Sequence, residues 1–429
     1  MDSREVEPGD FFIALPGSRT DGHRYLGEAF QNGAVGAMVQ SEEKVGEELQ
    51  NLLVVEDTIQ GLHDLASFYR AQLSGTLVGI TGSWGKTTTK ELLGSIFSTD
   101  ETSYRSPGNY NTEFGLPVAL LNMPENSAYG VFELGAQHPG DIGKLSDILR
   151  PDMALITGLG RAHVKHFSSM DELRSEKADV VKGMDPGTTV LLNGDVSALR
   201  EISLDDHKVA YYGSEAGEDL DYKGLDIDTM GRRGAEFLFQ GPRQEFKLRI
   251  DLIGRQNMQN AVGATSAALI NGIPPEAISK GLRIDPLPHR LQPREFSRGL
   301  VIDDTYNANP DAVKASLELL SEWELDGERV AVLGDMLELG SLAREAHRGV
   351  ANSIIDSGIN RVYGYGELTR FLVKELKDLG FSGSAENYQD LQALNGSLGR
   401  RLSGEGNVVL VKGSRETRME RVVEFLQAL

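Results

Sequence analysis

The stretch Thr81-Gly82-Ser83-Trp84-Gly85-Lys86-Thr87-Thr88-Thr89 carries the strongest chemical signal in the chain. Glycines let backbone N–H groups converge on an anion, and a helix beginning there adds partial positive charge. A lysine after the second glycine can reach the outer oxygens of a polyphosphate, and the Thr87 hydroxyl suits Mg²⁺. The spacing is T-G-x-x-G-K-T, shorter than G-x-x-x-x-G-K-[ST], because Ile80 stands where the longer loop has its first glycine. Glycine-rich turns also serve packing alone, but Gly-Lys-Thr-Thr favours phosphate. Gly82, Ser83, Gly85, Lys86, Thr87 and Thr88 are therefore the candidate phosphate ligands.

Other residues suit the same chemistry only if the fold brings them near. Glu133 ends the apolar run Val131-Phe132-Glu133 and could bind a metal beside phosphates; a capping carboxylate is the plain alternative. His163 follows the apolar run 153–157 and could be a second metal ligand, although a lone histidine is more often an ordinary residue. Lys177, within Arg174-Ser175-Glu176-Lys177-Ala178, reads from the residues alone as a solvated helix lysine. Asn111 and Thr112 lie in a polar loop with donors and acceptors for a polar substrate. Arg290, in Pro288-His289-Arg290, could hold phosphate from a domain border. Asp304 could accept both hydroxyls of a ribose. Asn309 or Asp311 could simply cap the helix that follows.

Positioning these groups requires strands that end beside the glycine loop. Leu77-Val78-Gly79-Ile80 reads as a strand, and Leu92, Leu93, Ile96 and Phe97 mark one face of a following helix. Strand-like runs at 128–134, 153–157 and 189–192 alternate with helical stretches, which predicts a largely parallel sheet covered on both faces. Such sheets bind ligands beyond the carboxyl ends of their strands. Residues 209–252 read as an antiparallel addition and 257–270 as an Ala-rich helix. Before this unit, residues 1–74 predict a small α/β domain. After it, residues 291–429 predict another open α/β sheet with strands at 299–303, 329–333, 361–363 and 407–411. The fold class is α/β in three domains: 1–74, a central mononucleotide-binding domain at 75–290, and a Rossmann-like domain at 291–429.

The 429 residues suit about three domains. A hydrophobic share of 40% and a charged share of 25% are those of a globular chain. A net charge of −21 argues against a broad nucleic-acid surface. No apolar run approaches the roughly 18 residues of a membrane helix, and the start Met1-Asp2-Ser3-Arg4-Glu5 lacks an apolar signal core. Without cysteine there is no disulfide, zinc thiolate or thiol nucleophile. The expectation is a cytoplasmic monomer.

These spaced motifs resemble the ATP-dependent Mur ligases, which add amino acids to the peptidoglycan precursor. The resemblance runs along nearly the whole chain. It rests on Asp2-Ser3-Arg4, Pro8-Gly9-Asp10-Phe11-Phe12, Asp21-Gly22-His23, the loop 81–88, Glu133, Ala162-His163, Lys177, Gly254-Arg255-Gln256-Asn257 and Pro288-His289-Arg290. Asp304-Thr305-Tyr306-Asn307-Ala308-Asn309-Pro310, with Leu333-Gly334-Asp335-Met336, is similar to the branch that adds D-alanyl-D-alanine.

The resemblance implies ATP and Mg²⁺ as cofactors, and UDP-N-acetylmuramoyl-tripeptide and D-alanyl-D-alanine as partners. It implies that Lys86 and residues 82–88 hold ATP phosphates, that Thr87 and Glu133 hold one Mg²⁺, and that His163 helps hold another. It implies a carbamylated Lys177 acting as an anionic metal ligand. Asn257 would lie against adenine, Asp304 at ribose and Arg290 at the γ-phosphate. Ser3 and Arg4 match the uridine end, and Asn111 and Thr112 the precursor loop. Tyr306, Asn307 and Asn309 fall on the dipeptide side. Lys412-Gly413-Ser414-Arg415 resembles a late motif with no definite role. Lys86, His163, Lys177 and Arg290 are the implied catalytic set.

The chain departs from the pattern at Trp84, where a small or amide residue is expected, and at Arg161. It also opens almost at Ser3-Arg4, so an abbreviated uridine pocket is expected. Two rival readings remain: a sibling ligase adding a single amino acid, and a nucleotide-hydrolysing switch that forms no bond.

Overall fold

Three sheets, one after another along the chain, organise the computed structural model. It describes residues 2–17, 20–40, 51–160, 166–167, 169–214, 219–324, 326–402 and 404–429. The first sheet is parallel in the order β1 (Phe11–Ile13), β2 (Gly36–Val39), β3 (Leu52–Val54). Its helix Thr58–Arg70 starts where Asp57 accepts bonds from the Ile59 and Gln60 amides, and it buries Leu62 and Ala66. At the other end of that helix, Arg70 donates to the carbonyls of Leu149 and Arg150 and pairs with Asp152. This clasp ties the first unit to the second.

The central sheet has nine strands: β4 (Thr76–Thr81), β5 (Ser103–Arg105), β6 (Tyr129–Glu133), β7 (Met153–Ile156), β8 (Thr189–Asn193), β9 (Lys208–Gly213), β10 (Tyr222–Thr229), β11 (Ala235–Gln240) and β12 (Glu245–Ile250). Their order is β12-β11-β10-β9-β8-β7-β4-β6-β5. The chain turns left from β4 to β5 and β6, then right to β7, so a crevice opens at the end of β4. Val78 and Ile80 pack against one core and Leu77 against another, on the two faces of the sheet. Such two-sided burial is what near-continuous apolar parallel strands require.

The addition at 209–252 departs from the expectation at its start. β9 continues the parallel sheet beside β8, and β10 still pairs parallel with β9. Only β10–β11 and β11–β12 are antiparallel. Short β-rich segments do not reveal their direction, because direction is fixed by the partner strand rather than by the residues themselves.

The third sheet has the order β13-β14-β18-β15-β16-β17. Its strands are β13 (Gln292–Phe296), β14 (Gly299–Asp304), β15 (Arg329–Gly334), β16 (Arg361–Tyr365), β17 (Ser384–Tyr388) and β18 (Asn407–Lys412). All pairings are parallel except β13–β14. In β14–β18, Asp304 lies opposite Lys412. Among the described residues, no helix is long and apolar enough to cross a membrane.

Candidate active site

The glycine loop joins β4 to the helix Lys86–Phe97, whose Leu92, Leu93, Ile96 and Phe97 are all buried. Gly85 has φ of 78°, and a side chain there would meet Asn260 Oδ1 at 2.4 Å. Only glycine serves at such a position. The Ser83 amide donates to the Gly158 carbonyl at 2.9 Å, and the Thr157 hydroxyl donates to the Trp84 carbonyl. The segment after β7 thereby braces the loop from the side.

β4 pairs with β6 in a register that places Ile80 opposite Glu133. Glu133 therefore emerges beside the loop, 3% exposed. Thr87 Oγ1 donates to Glu133 Oε2 at 2.9 Å, and Asn111 Nδ2 donates to Glu133 Oε1 at 2.8 Å. From the far domain border, Arg290 Nη2 donates to Thr87 Oγ1 at 2.9 Å. The Arg290 guanidinium also stands 3.8 Å from the centroid of the Tyr306 ring. His289 and Leu291, on either side, have φ of 61° and 49°. Such backbone is uncommon for these residue types. It is held here because His289 bonds Asp303 and Tyr306, and the Leu291 amide bonds Asp304.

Lys86 Nζ donates to the Gly82 carbonyl at 2.8 Å, curling over the loop. Burial pushes its ammonium below the ordinary value; Glu133 opposes the shift and Arg290 adds to it. Asp304 accepts from Lys412 Nζ at 2.5 Å and from the Ser316 hydroxyl at 2.8 Å. This nearly buried pair fixes the end of β14. Asn309 caps the helix Pro310–Ser321 by accepting from the Ala312 amide at 2.8 Å.

These groups share one cavity of about 400 Å³ between the central and C-terminal domains. Of the sequence candidates, it gathers Ser83, Gly85, Lys86, Thr87, Thr88, Asn111, Glu133, Asn257, Arg290, Asp304, Tyr306, Asn307 and Asn309. Trp84 lines it too. Thr112 does not: its hydroxyl accepts from the Gly115 amide, at the start of the helix Gly115–Leu121. Ser3 and Arg4 lie apart in the first domain, where Ser3 donates to Glu28 and exposed Arg4 pairs with Asp2. His163 falls outside the described residues.

Lys177 overturns its plain reading as a solvated lysine. It is 3% exposed, and burial, followed by the positive charge of Lys86, pushes its ammonium down to about 7. Its neighbour Glu176 accepts from the Gly140 and Ile142 amides at 2.6 and 2.7 Å, capping the helix Asp141–Leu149. That cap anchors the segment carrying Lys177. The sequence reading missed both Glu176 and Lys90. The second was legible: Lys90, Leu93 and Phe97 have core-facing helical spacing.

Thr87 and Glu133 offer hard oxygen donors 2.9 Å apart, which suits Mg²⁺. Among the described residues, no group of three or more histidine and carboxylate side chains forms a cage for a metal. An ion held by so few side chains completes its shell with water and phosphate oxygens.

The chain also matches known protein families in three consecutive parts. Residues 1–70 match the Mur ligase family catalytic domain, 80–268 the Mur ligase middle domain, and 289–415 the Mur ligase glutamate ligase domain. The chain belongs to the Mur ligase family, whose members form amide bonds using ATP. It is 32% identical to the UDP-N-acetylmuramoyl-tripeptide–D-alanyl-D-alanine ligase of Bacillus subtilis, over 99% of this chain and 92% of that one. Against the enzyme of the same name from Escherichia coli the identity is 33%, with the same coverage. Among solved structures, MurF from Acinetobacter baumannii superposes with a TM-score of 0.89 at 29% identity, covering 100% of this chain and 93% of that one. MurF ligase from Thermotoga maritima in complex with ADP gives 0.85 at 29% identity, covering 100% and 96%.

Proposed function

We propose that this chain joins D-alanyl-D-alanine to the peptide carboxylate of UDP-N-acetylmuramoyl-tripeptide, with ATP, in peptidoglycan precursor synthesis. The observation that carries this reading is the convergence on Thr87 of Glu133 from the central sheet and Arg290 from the border of the C-terminal domain. A phosphate-loop hydroxyl linked to a strand-end carboxylate and to an arginine from another domain suits transfer of a phosphoryl group between two bound substrates. The names of the similar enzymes supply the substrates.

A carboxylate is a poor electrophile. Its oxygen attacks the γ-phosphorus of ATP, the bond to the bridging oxygen breaks, and ADP leaves an acyl phosphate. The dipeptide amine then attacks the acyl carbon, and the tetrahedral intermediate expels inorganic phosphate. No protein nucleophile is needed. Lys86 and Arg290 offset charge on the transferring group. Thr87 and Glu133 would hold Mg²⁺, with His163 and Lys177 at a second ion; when bound, the metal withdraws charge from phosphate oxygens. Lys177 serves there as its carbamate, since a neutral amine, favoured by burial, is the form that takes up CO₂.

Asn257 lies toward adenine, Asp304 toward ribose, and Tyr306, Asn307 and Asn309 toward the dipeptide. Asn111 and Thr112 serve the precursor loop. Ser3 and Arg4 take the uridine end. Closure of the C-terminal domain excludes water, which would hydrolyse the acyl phosphate. The enzyme acts as a monomer in the cytoplasm, where ATP is supplied, without nucleic acid or membrane.

The deciding experiment measures phosphate release with UDP-tripeptide, comparing D-alanyl-D-alanine with single amino acids. Turnover that needs both the UDP-tripeptide and the dipeptide is expected. Turnover with a single amino acid instead would indicate a sibling ligase, and turnover with neither substrate would indicate a switch.

A further inference from the structure

Lys90 is completely buried, and nothing in the phosphate-loop motif demands a cation there. A buried ammonium is tolerated only when its donors are satisfied. Lys90 has three N–H donors; two backbone carbonyls accept hydrogen bonds from it and a carboxylate pairs with its charge. The Ser106 carbonyl lies at 2.6 Å, the Gly108 carbonyl at 3.0 Å, and Glu91 Oε1 at 3.1 Å. Glu91 is itself held by Arg105 at 3.0 Å.

Both hydrogen-bond acceptors are backbone carbonyls of one short loop. The same loop is tied at its start by the Ser106 amide, which donates to the Val131 carbonyl. It is tied at its end by Asn111, which donates to Glu133 and accepts from the Gly135 amide. Between these anchors Lys90 holds the middle at the Gly108 carbonyl, whose residue has φ of 49°, and Tyr110 packs against the core. Asn109 and Asn111 face the cavity from this loop. Lys86 and Lys90 are four residues apart on one helix. One lines the phosphate side of the cavity and the other holds the loop that brings Asn109 and Asn111 to it.

We infer that Lys90 is a positioning residue for the acceptor substrate: its buried ammonium holds loop 106–111 so that Asn109 and Asn111 meet the UDP-tripeptide beside the phosphates. The inference rests on the proposed ligase reaction. It makes the helix that begins at the phosphate loop set both substrates in register.

The test is steady-state kinetics on Lys90→Met, with hydrogen exchange read at amides 109–111. The KM for UDP-tripeptide should rise about tenfold or more, while that for ATP stays within about twofold. The loop amides should exchange at least about tenfold faster, with the helix Lys86–Phe97 unchanged. A merely structural role would move both KM values or neither, and either result overturns the inference. If Lys90→Met does not fold, Lys90→Gln, which keeps an N–H donor, takes its place with the same outcomes. Wild-type enzyme that turns over without UDP-tripeptide would remove the ligase reading itself. An active Lys90→Met with an unchanged KM for UDP-tripeptide would remove only the role of Lys90.

Discussion

Trp84 and Gly160 are fitted against one another: a side chain begun at Gly160 would stand 2.3 Å from indole Cζ3 and 2.4 Å from Asp311 Oδ2. At Gly158 it would stand 2.3 Å from indole Cε2. The indole thus covers both glycines of the segment after β7. Asp311 lies in the helix Pro310–Ser321, so this contact reaches the C-terminal domain. The residue that departs most from the usual phosphate loop is therefore a packing element between the domains.

Gly160→Ala should lower stability by about 1–3 kcal/mol, the cost of overfilling a packed site. Trp84→Ser should recover part of that loss in the double variant, because it removes the indole atoms the new methyl would strike and leaves only the Asp311 carboxylate to give way. Denaturant unfolding of the four proteins gives the coupling. Strict additivity would show that the indole does not occupy this place.

Arg290 acts through a planar fork and a stacked face, and lysine has neither. Arg290→Lys should reduce kcat/KM by about tenfold to a hundredfold, in line with a lost charged hydrogen bond of roughly 1.5–3 kcal/mol. Tyr306→Phe keeps the ring under the guanidinium and should stay near wild type, whereas Tyr306→Leu should lose about 0.5–2 kcal/mol of transition-state stabilisation. Equal effects of the two tyrosine changes would point to the hydroxyl instead.

Much of this site was legible because its local chemistry is written in short motifs. The glycine loop, the apolar strand before it and the face Leu92, Leu93, Ile96 and Phe97 fix the strand–loop–helix unit. Glu133 was legible as a strand end. What the residues alone withheld was proximity. That β4 lies between β6 and β7 is a property of the whole sheet, and it alone puts Glu133 against Thr87. The environment of Lys177 was hidden in the same way. Most of its sequence neighbours, Arg174, Ser175, Glu176 and Asp179, are polar, so nothing local announces its burial. The direction of β9 was hidden because a strand does not encode its partner.

Lys86→Ala should abolish ATP turnover while leaving the fold intact. The side chain donates to the Gly82 carbonyl at 2.8 Å, and the buried Glu133 carboxylate, which loses a nearby positive charge, keeps Thr87 and Asn111 as donors. Loss of an aimed cation at a developing charge typically reduces kcat by about a hundredfold to a thousandfold. Circular dichroism and thermal melting should match wild type. Near-normal turnover would detach the phosphate site from this loop.

Lys177 links stability and activity. Burial holds its folded-state value at about 7, below that of the unfolded chain. At pH values between the two, the unfolded state carries the extra proton. Stability contributed by this group therefore rises with pH, from about 7 toward about 10. In CO₂-free, metal-free buffer, urea unfolding should show the wild-type protein gaining stability over Lys177→Met between about pH 7 and about pH 9. A constant difference would mean the ammonium stays charged in the folded protein. Activity supplies the second readout. If the carbamate is the working form, Lys177→Ala should lose most turnover and regain part of it with added acetate or formate, whose carboxylate replaces the missing anion. A Lys177→Ala variant that is fully active without added carboxylate would return this buried lysine to a packing role.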